Sequence, residues 1–137
     1  SLQREDIQAL SRVLRIIPKR VEKFAQSLVA AQHRASALDF GPTVDLLGQT
    51  METLAAMVRE LRAFASLEST QVLRLQLQER SDQAETQLEG IIRDLYRTQD
   101  DPIRLVIARQ LSGQVESILE ACRDGGNLVH QLVLKYS

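Results

Sequence analysis

An all-α fold is the expectation for this chain, in the form of an antiparallel up-down four-helix bundle with kinks near Pro18 and Gly125-Gly126. Three observations lead there. Helix breakers are sparse, with three prolines (Pro18, Pro42, Pro102) and six glycines (Gly41, Gly48, Gly90, Gly113, Gly125, Gly126) in 137 residues. Apolar residues recur at alternating steps of three and four, which keeps them on one side of a helix. Alternating Val/Ile/Thr-rich runs of strand length are missing. The one alternating stretch, Val72 to Gln78 with leucines at 73, 75 and 77, runs directly into long polar helix formers.

The first predicted helix carries Ile7, Leu10, Leu14, Ile17, Val21, Phe24, Leu28 and Ala31 on one face and ends at His33, a suitable residue for a helix C-terminus. The second follows Phe40-Gly41-Pro42, with Pro42 suited to a first helical position, and shows Val44, Leu47, Met51, Leu54, Val58, Leu61 and Ala65. The third carries Leu73, Leu77, Ser81, Ala84, Leu88, Ile91 and Leu95, with small residues at its middle. The fourth opens at the cap Asp101-Pro102 and runs through Ile107, Leu111, Val115, Ile118, Cys122, Gly125, Val129, Leu132 and Tyr136. A single helix from 42 to about 98 is the rival to a second and third. A turn at Ser66-Leu67-Glu68-Ser69 is preferred, because the stripe beyond Ala65 would fall on Glu68, Val72, Leu75, Glu79 and Asp82. Loops are therefore expected near 38 to 41, 66 to 69 and 99 to 101.

Counting from these turns places Pro18 and Gly125-Gly126 at one level of the bundle. Proline in a helix interior costs about 3 kcal/mol and glycine about 1 kcal/mol relative to alanine, yet the apolar register passes through both places. Kinks within continuing helices follow, and a hinge layer is the sharper version. Beyond that level the ends of the first and fourth helices are expected to project past the turn joining the second and third. The tail from Leu128 to Tyr136 is apolar on more than one face. Ile7, Leu10, Leu128, Leu132, Val133 and Tyr136 are accordingly the expected partner interface.

Charge adds a second candidate surface. From Ile7 to Arg34 six basic residues face Glu22 alone, and Arg12, Arg15, Lys19 and Lys23 share one helix face as an anion-binding candidate. Glu79, Asp82, Glu85 and Glu89 form an acidic stripe on the third helix. With 17 basic against 18 acidic residues overall and no tryptophan, material for nucleic-acid stacking is scarce.

Catalytic constellations are absent from the sequence. His33 and His130 have no cysteine or carboxylate companions at metal-ligand spacing, and no glycine-rich phosphate motif occurs. Cys122 lies on the apolar register and is expected to be a buried, inert thiol. A lone cysteine excludes an internal disulfide framework and fits an intracellular, cytoplasmic setting. The chain begins at Ser1 with Met51 and Met57 as its only methionines, so it is expected to be one helical domain, 1–137, of a larger protein. The functional expectation is a non-enzymatic helical scaffold, adaptor or oligomerisation module without cofactor or metal. Its partner would be another protein or a second copy, with no small-molecule substrate. The alternative is an electrostatic binder of anionic lipid or nucleic acid through the first helix.

Overall fold

The computed structural model describes residues 2–35, 38–64 and 66–137, which are helical along most of their length and contain no strand. Ser1, and Ala65 at the end of the second predicted stripe, lie outside the described residues. In chain order the helices are α1 (Arg4–Ala30), α2 (Gln32–Ala35), α3 (Gly41–Arg62), α4 (Leu67–Arg97) and α5 (Pro102–Tyr136). No helix among the described residues is long and apolar enough to cross a membrane.

Local chemistry accounts for the boundaries. The hydroxyl of Ser66 accepts the Ser69 N–H at 3.1 Å, and the Asp101 carboxylate accepts the Ile103 N–H at 2.9 Å, so both residues cap the helices they precede. Pro42 and Pro102 stand at helix starts, where the missing N–H costs nothing. The break between the second and third predicted helices is therefore present, although Leu67, Glu68 and Ser69 form the first turn of α4 and not a loop. The first predicted helix needs correction. It stops at Ala30, the chain turns at Ala31, and His33 lies on the short α2.

α5 packs against each of the other helices, and α3 packs against α4. α1 rests on α5 and α2, and no Cα of α1 lies within 8 Å of a Cα of α3 or α4. Of these neighbours, α1 and α4 run antiparallel to α5. Gln3 meets Tyr136 and Ser27 meets Gln114 along α1, while Arg74 meets Asn127 and Tyr96 meets Arg109 along α4. This central position explains why the tail of the chain is apolar on several faces. Leu119, Val129, Leu132 and Val133 all enter one core with Leu10, Ile17, Leu54, Met57, Leu77 and Leu88.

Two expectations about the register, the shared level of Pro18 with Gly125-Gly126 and the projecting ends, are corrected by these contacts. As the register implied, α5 continues without interruption through Gly125 and Gly126, and α1 through Pro18. A Cβ on Gly125 would lie 3.2 Å from the Leu54 methyls and 3.6 Å from Val13, and one on Gly126 would lie 3.0 Å from Leu77. The glycines thus allow close approach of α1, α3 and α4 to α5. Since Gly125 faces Val13, five residues before Pro18, the pair sits about 7 to 8 Å along the axis from that proline and not level with it. The projecting ends are likewise covered. Leu132 and Val133 are buried, and the start of α1 is hydrogen-bonded to the end of α5 through Gln3, Asp6 and Tyr136. The cause is helix length: α4 has 31 residues against 35 in α5, so little of α5 extends past the turn.

Candidate functional site

The attachment of α1 to α5 shapes an apolar groove beside α3. At the N-terminal end of α1, the Tyr136 hydroxyl donates to Asp6 Oδ2 at 2.5 Å and accepts the Gln3 N–H at 2.9 Å. Lys135 Nζ donates to the same carboxylate at 3.0 Å. These donors hold the Asp6 carboxyl below its ordinary range, the Tyr136 hydroxyl foremost and Lys135 next, while the bond to Asp6 holds the Lys135 ammonium above its own. Further along, Arg20 Nη1 donates to the Ser117 carbonyl at 2.6 Å and Gln114 Nε2 to Ser27 Oγ at 2.8 Å. Every one of these bonds joins α1 to α5, and α3 takes no part.

A groove of about 760 Å³ results between α1 and the end of α3. Leu10, Leu14, Val58 and Leu61 make its floor, and Ile7, 51% exposed, stands at its edge. Three cations line it: Arg15 and Lys19 from α1 and Arg62 from α3. No carboxylate is among the lining residues, and none of the three cations forms an ion pair among the described residues. The groove combines an apolar floor with unneutralised positive charge on both sides.

The predicted surfaces fall unevenly on this geometry. Leu10, Leu132 and Val133 are buried by the chain's own packing, Leu128 and Tyr136 are half-buried, and Ile7 alone of the six is exposed. The interface expected at the terminal end is thus largely filled from within. Arg12, Arg15, Lys19 and Lys23 are all exposed, but only Arg15 and Lys19 line the groove. Two other basic residues of that segment are engaged elsewhere, Arg20 with Ser117 and Arg34 with Asp101 at 3.9 Å.

The acidic stripe also divides. Glu79, Asp82 and Glu89 are exposed, whereas Glu85 pairs with Arg123 of α5. The Arg123 Nε donates to Ser81 at 3.2 Å, and the Ser81 hydroxyl donates to the Gln78 carbonyl at 3.0 Å. Ser81, read as a small packing residue, is part of this interhelical network. Its place in the third stripe was visible in the sequence; its bond to Arg123 depends on how α4 meets α5.

Compared with family models, curated proteins and solved structures, the chain matches none. The site must therefore be read from its own chemistry. Among the described residues no group of three or more His, Cys, Asp or Glu side chains converges in a way that could hold a metal ion. Cys122 is fully buried, and that burial pushes its thiol up to about 11 against the opposing influence of Arg123. His130, half-buried on α5, has its pKa lowered by burial and by the nearby Arg74 guanidinium.

Proposed function

We propose that the chain is a non-enzymatic interaction module that binds another protein through the groove between α1 and α3. The frame we assign to it is an antiparallel up-down four-helix bundle, open between α1 and α3 and bent at Pro18 and Gly125-Gly126, working in the cytoplasm. One observation carries this reading: the apolar groove between α1 and α3, with the half-buried Leu14 and Val58 at its surface, the exposed Ile7 at its edge and the buried Leu10 and Leu61 beneath, is spanned by no helix among the described residues. The buried tail around Leu132 and Val133 shifts the interface from the terminal end toward Ile7 and the groove.

Selection of helical peptides from a random library on the folded chain tests the reading, with an Ile7→Asp, Leu14→Asp variant as counter-target. Peptides retained by the parent and lost on the variant support it. A selection that returns only peptides indifferent to those substitutions overturns it.

A second reading rests on the exposed Arg12, Arg15, Lys19 and Lys23 face, a stripe able to attract phosphates of anionic membrane or nucleic acid. It requires binding to anionic vesicles or duplex DNA that falls steeply with salt and is weakened by Arg15→Glu with Lys19→Glu. Binding unchanged by that double reversal would dispose of it.

A further inference from the structure

We infer that the occupant of the α1–α3 groove is an acidic amphipathic helix of a partner protein, its apolar face on Ile7, Leu14 and Val58 over the buried Leu10 and Leu61 and its carboxylates toward Arg15, Lys19 and Arg62. The inference rests on the interaction-module reading and adds the partner's chemistry. Both walls are helices, and their separation leaves the apolar side chains at the bottom of a channel, the setting in which a helix presents residues at i, i+3, i+4 and i+7. The α1 wall from Ile7 to Lys19 is about 18 Å long, a match for about twelve residues of a docked helix.

Charge selects among occupants. The lining contains three cations and no carboxylate, and these cations form no ion pair among the described residues, so a basic or neutral helix would leave their charge uncompensated. Cations on opposite sides also favour a ligand with acidic residues on both flanks of its apolar face. A bilayer surface, being broad, does not reach a floor recessed between two helices. Duplex DNA offers phosphates to the cations but nothing apolar to Ile7, Leu14 or Val58.

The test is fluorescence anisotropy with a labelled peptide of about 18 residues, long enough to hold a helix, with leucines at i, i+3, i+4 and i+7 and glutamates on both flanks. A second peptide carries lysine at every glutamate. The expected result is saturable binding of the acidic peptide, weakened about tenfold by Arg15→Glu with Lys19→Glu, a variant that also gains affinity for the lysine peptide. Arg12→Glu with Lys23→Glu imposes the same net charge outside the groove and is expected to change acidic-peptide binding less than about twofold. All four positions are exposed, and circular dichroism checks that the variants keep their helicity.

Equal losses in the two double variants would overturn the inference, because bulk charge and not the groove would then govern binding. So would equal affinity of the parent for the two peptides. Concentration-dependent self-association abolished by the Arg15, Lys19 reversal would make the occupant a second copy and overturn it as well, as would anionic vesicles displacing the bound peptide. If the acidic peptide fails while the library yields neutral or basic groove binders, the partner chemistry is wrong and the module reading stands. If neither experiment finds a groove binder, both fall.

Discussion

Gln99 occupies a backbone conformation that glycine holds with less strain. Its φ is 51°, in the left-handed region, and it ends α4 by donating its N–H to Tyr96 O at 3.2 Å while Asp100 donates to Leu95 O at 3.1 Å. A side chain in that region costs about 1–2 kcal/mol, partly offset by the greater unfolded-state freedom of glycine. Gln99→Gly is therefore expected to stabilise the chain by about 0.5–1 kcal/mol, read as a rise in thermal midpoint. A lower midpoint would mean that the glutamine side chain contributes more than its backbone costs. Phe64 closes α3 with a φ of 52°, which is why neither turn carries the glycine that usually marks a helix end. Counting only apolar residues also missed part of the core. Thr43, Thr50 and Thr70 are fully buried, and Thr50 satisfies its hydroxyl on the Leu46 carbonyl at 2.8 Å, so a polar letter stands at a core position.

Glycine positions in α5 separate helix propensity from packing. Gly113 has no atom within 4 Å of a built Cβ, so Gly113→Ala is expected to stabilise the chain by about 0.5–1 kcal/mol. Gly126 lies against Leu77, and Gly126→Val is expected to cost about 1–3 kcal/mol through overpacking. Urea denaturation of the two variants checks both signs; matching changes would refute the close-approach account. The tether between α1 and α5 has a pH window of its own. Asp6, whose folded pKa is depressed, contributes above its unfolded value of about 4 and loses that contribution as pH falls through the folded value. Lys135, whose folded pKa is raised, contributes below about 10.4 and loses it as pH rises through its folded value. Amide protection near Gln3–Leu10 and Leu132–Tyr136 is thus expected to fall below about pH 4 before that of central α4. Asp6→Asn should remove the difference. Simultaneous loss across α4 and the tether would show that the ends have no separate opening.

At the scale of the molecule, α5 is the helix on which the others assemble, and damage to it should appear as lost stability. Leu132 is 4% exposed, so Leu132→Ala is expected to cost about 2–5 kcal/mol in urea while the molar mass by light scattering stays that of the parent across a hundredfold concentration range. A change of mass with stability retained would restore the tail as an association surface. The groove behaves differently, because Ile7 is exposed and its loss leaves little cavity behind. Substitutions there are expected to alter binding more than folding.

The amino-acid sequence by itself determined the helical class, the core stripes of α4 and α5 and most of that of α1, the break at Ser66, the cap at Asp101 and the burial of Cys122. These are properties of residues a few positions apart, set by helical geometry and by backbone N–H groups that need acceptors. Only the tertiary structure decided that α1 rests on α5 and stands away from α3, that Gly125 faces Val13, and that Glu85 turns to Arg123. The physical reason is that a helix's apolar periodicity says which side is buried without naming the helix that buries it. Pairing depends on side-chain shapes meeting across long stretches of chain: α5, able to pack on several faces, gathered the other helices and left the space between α1 and α3 open.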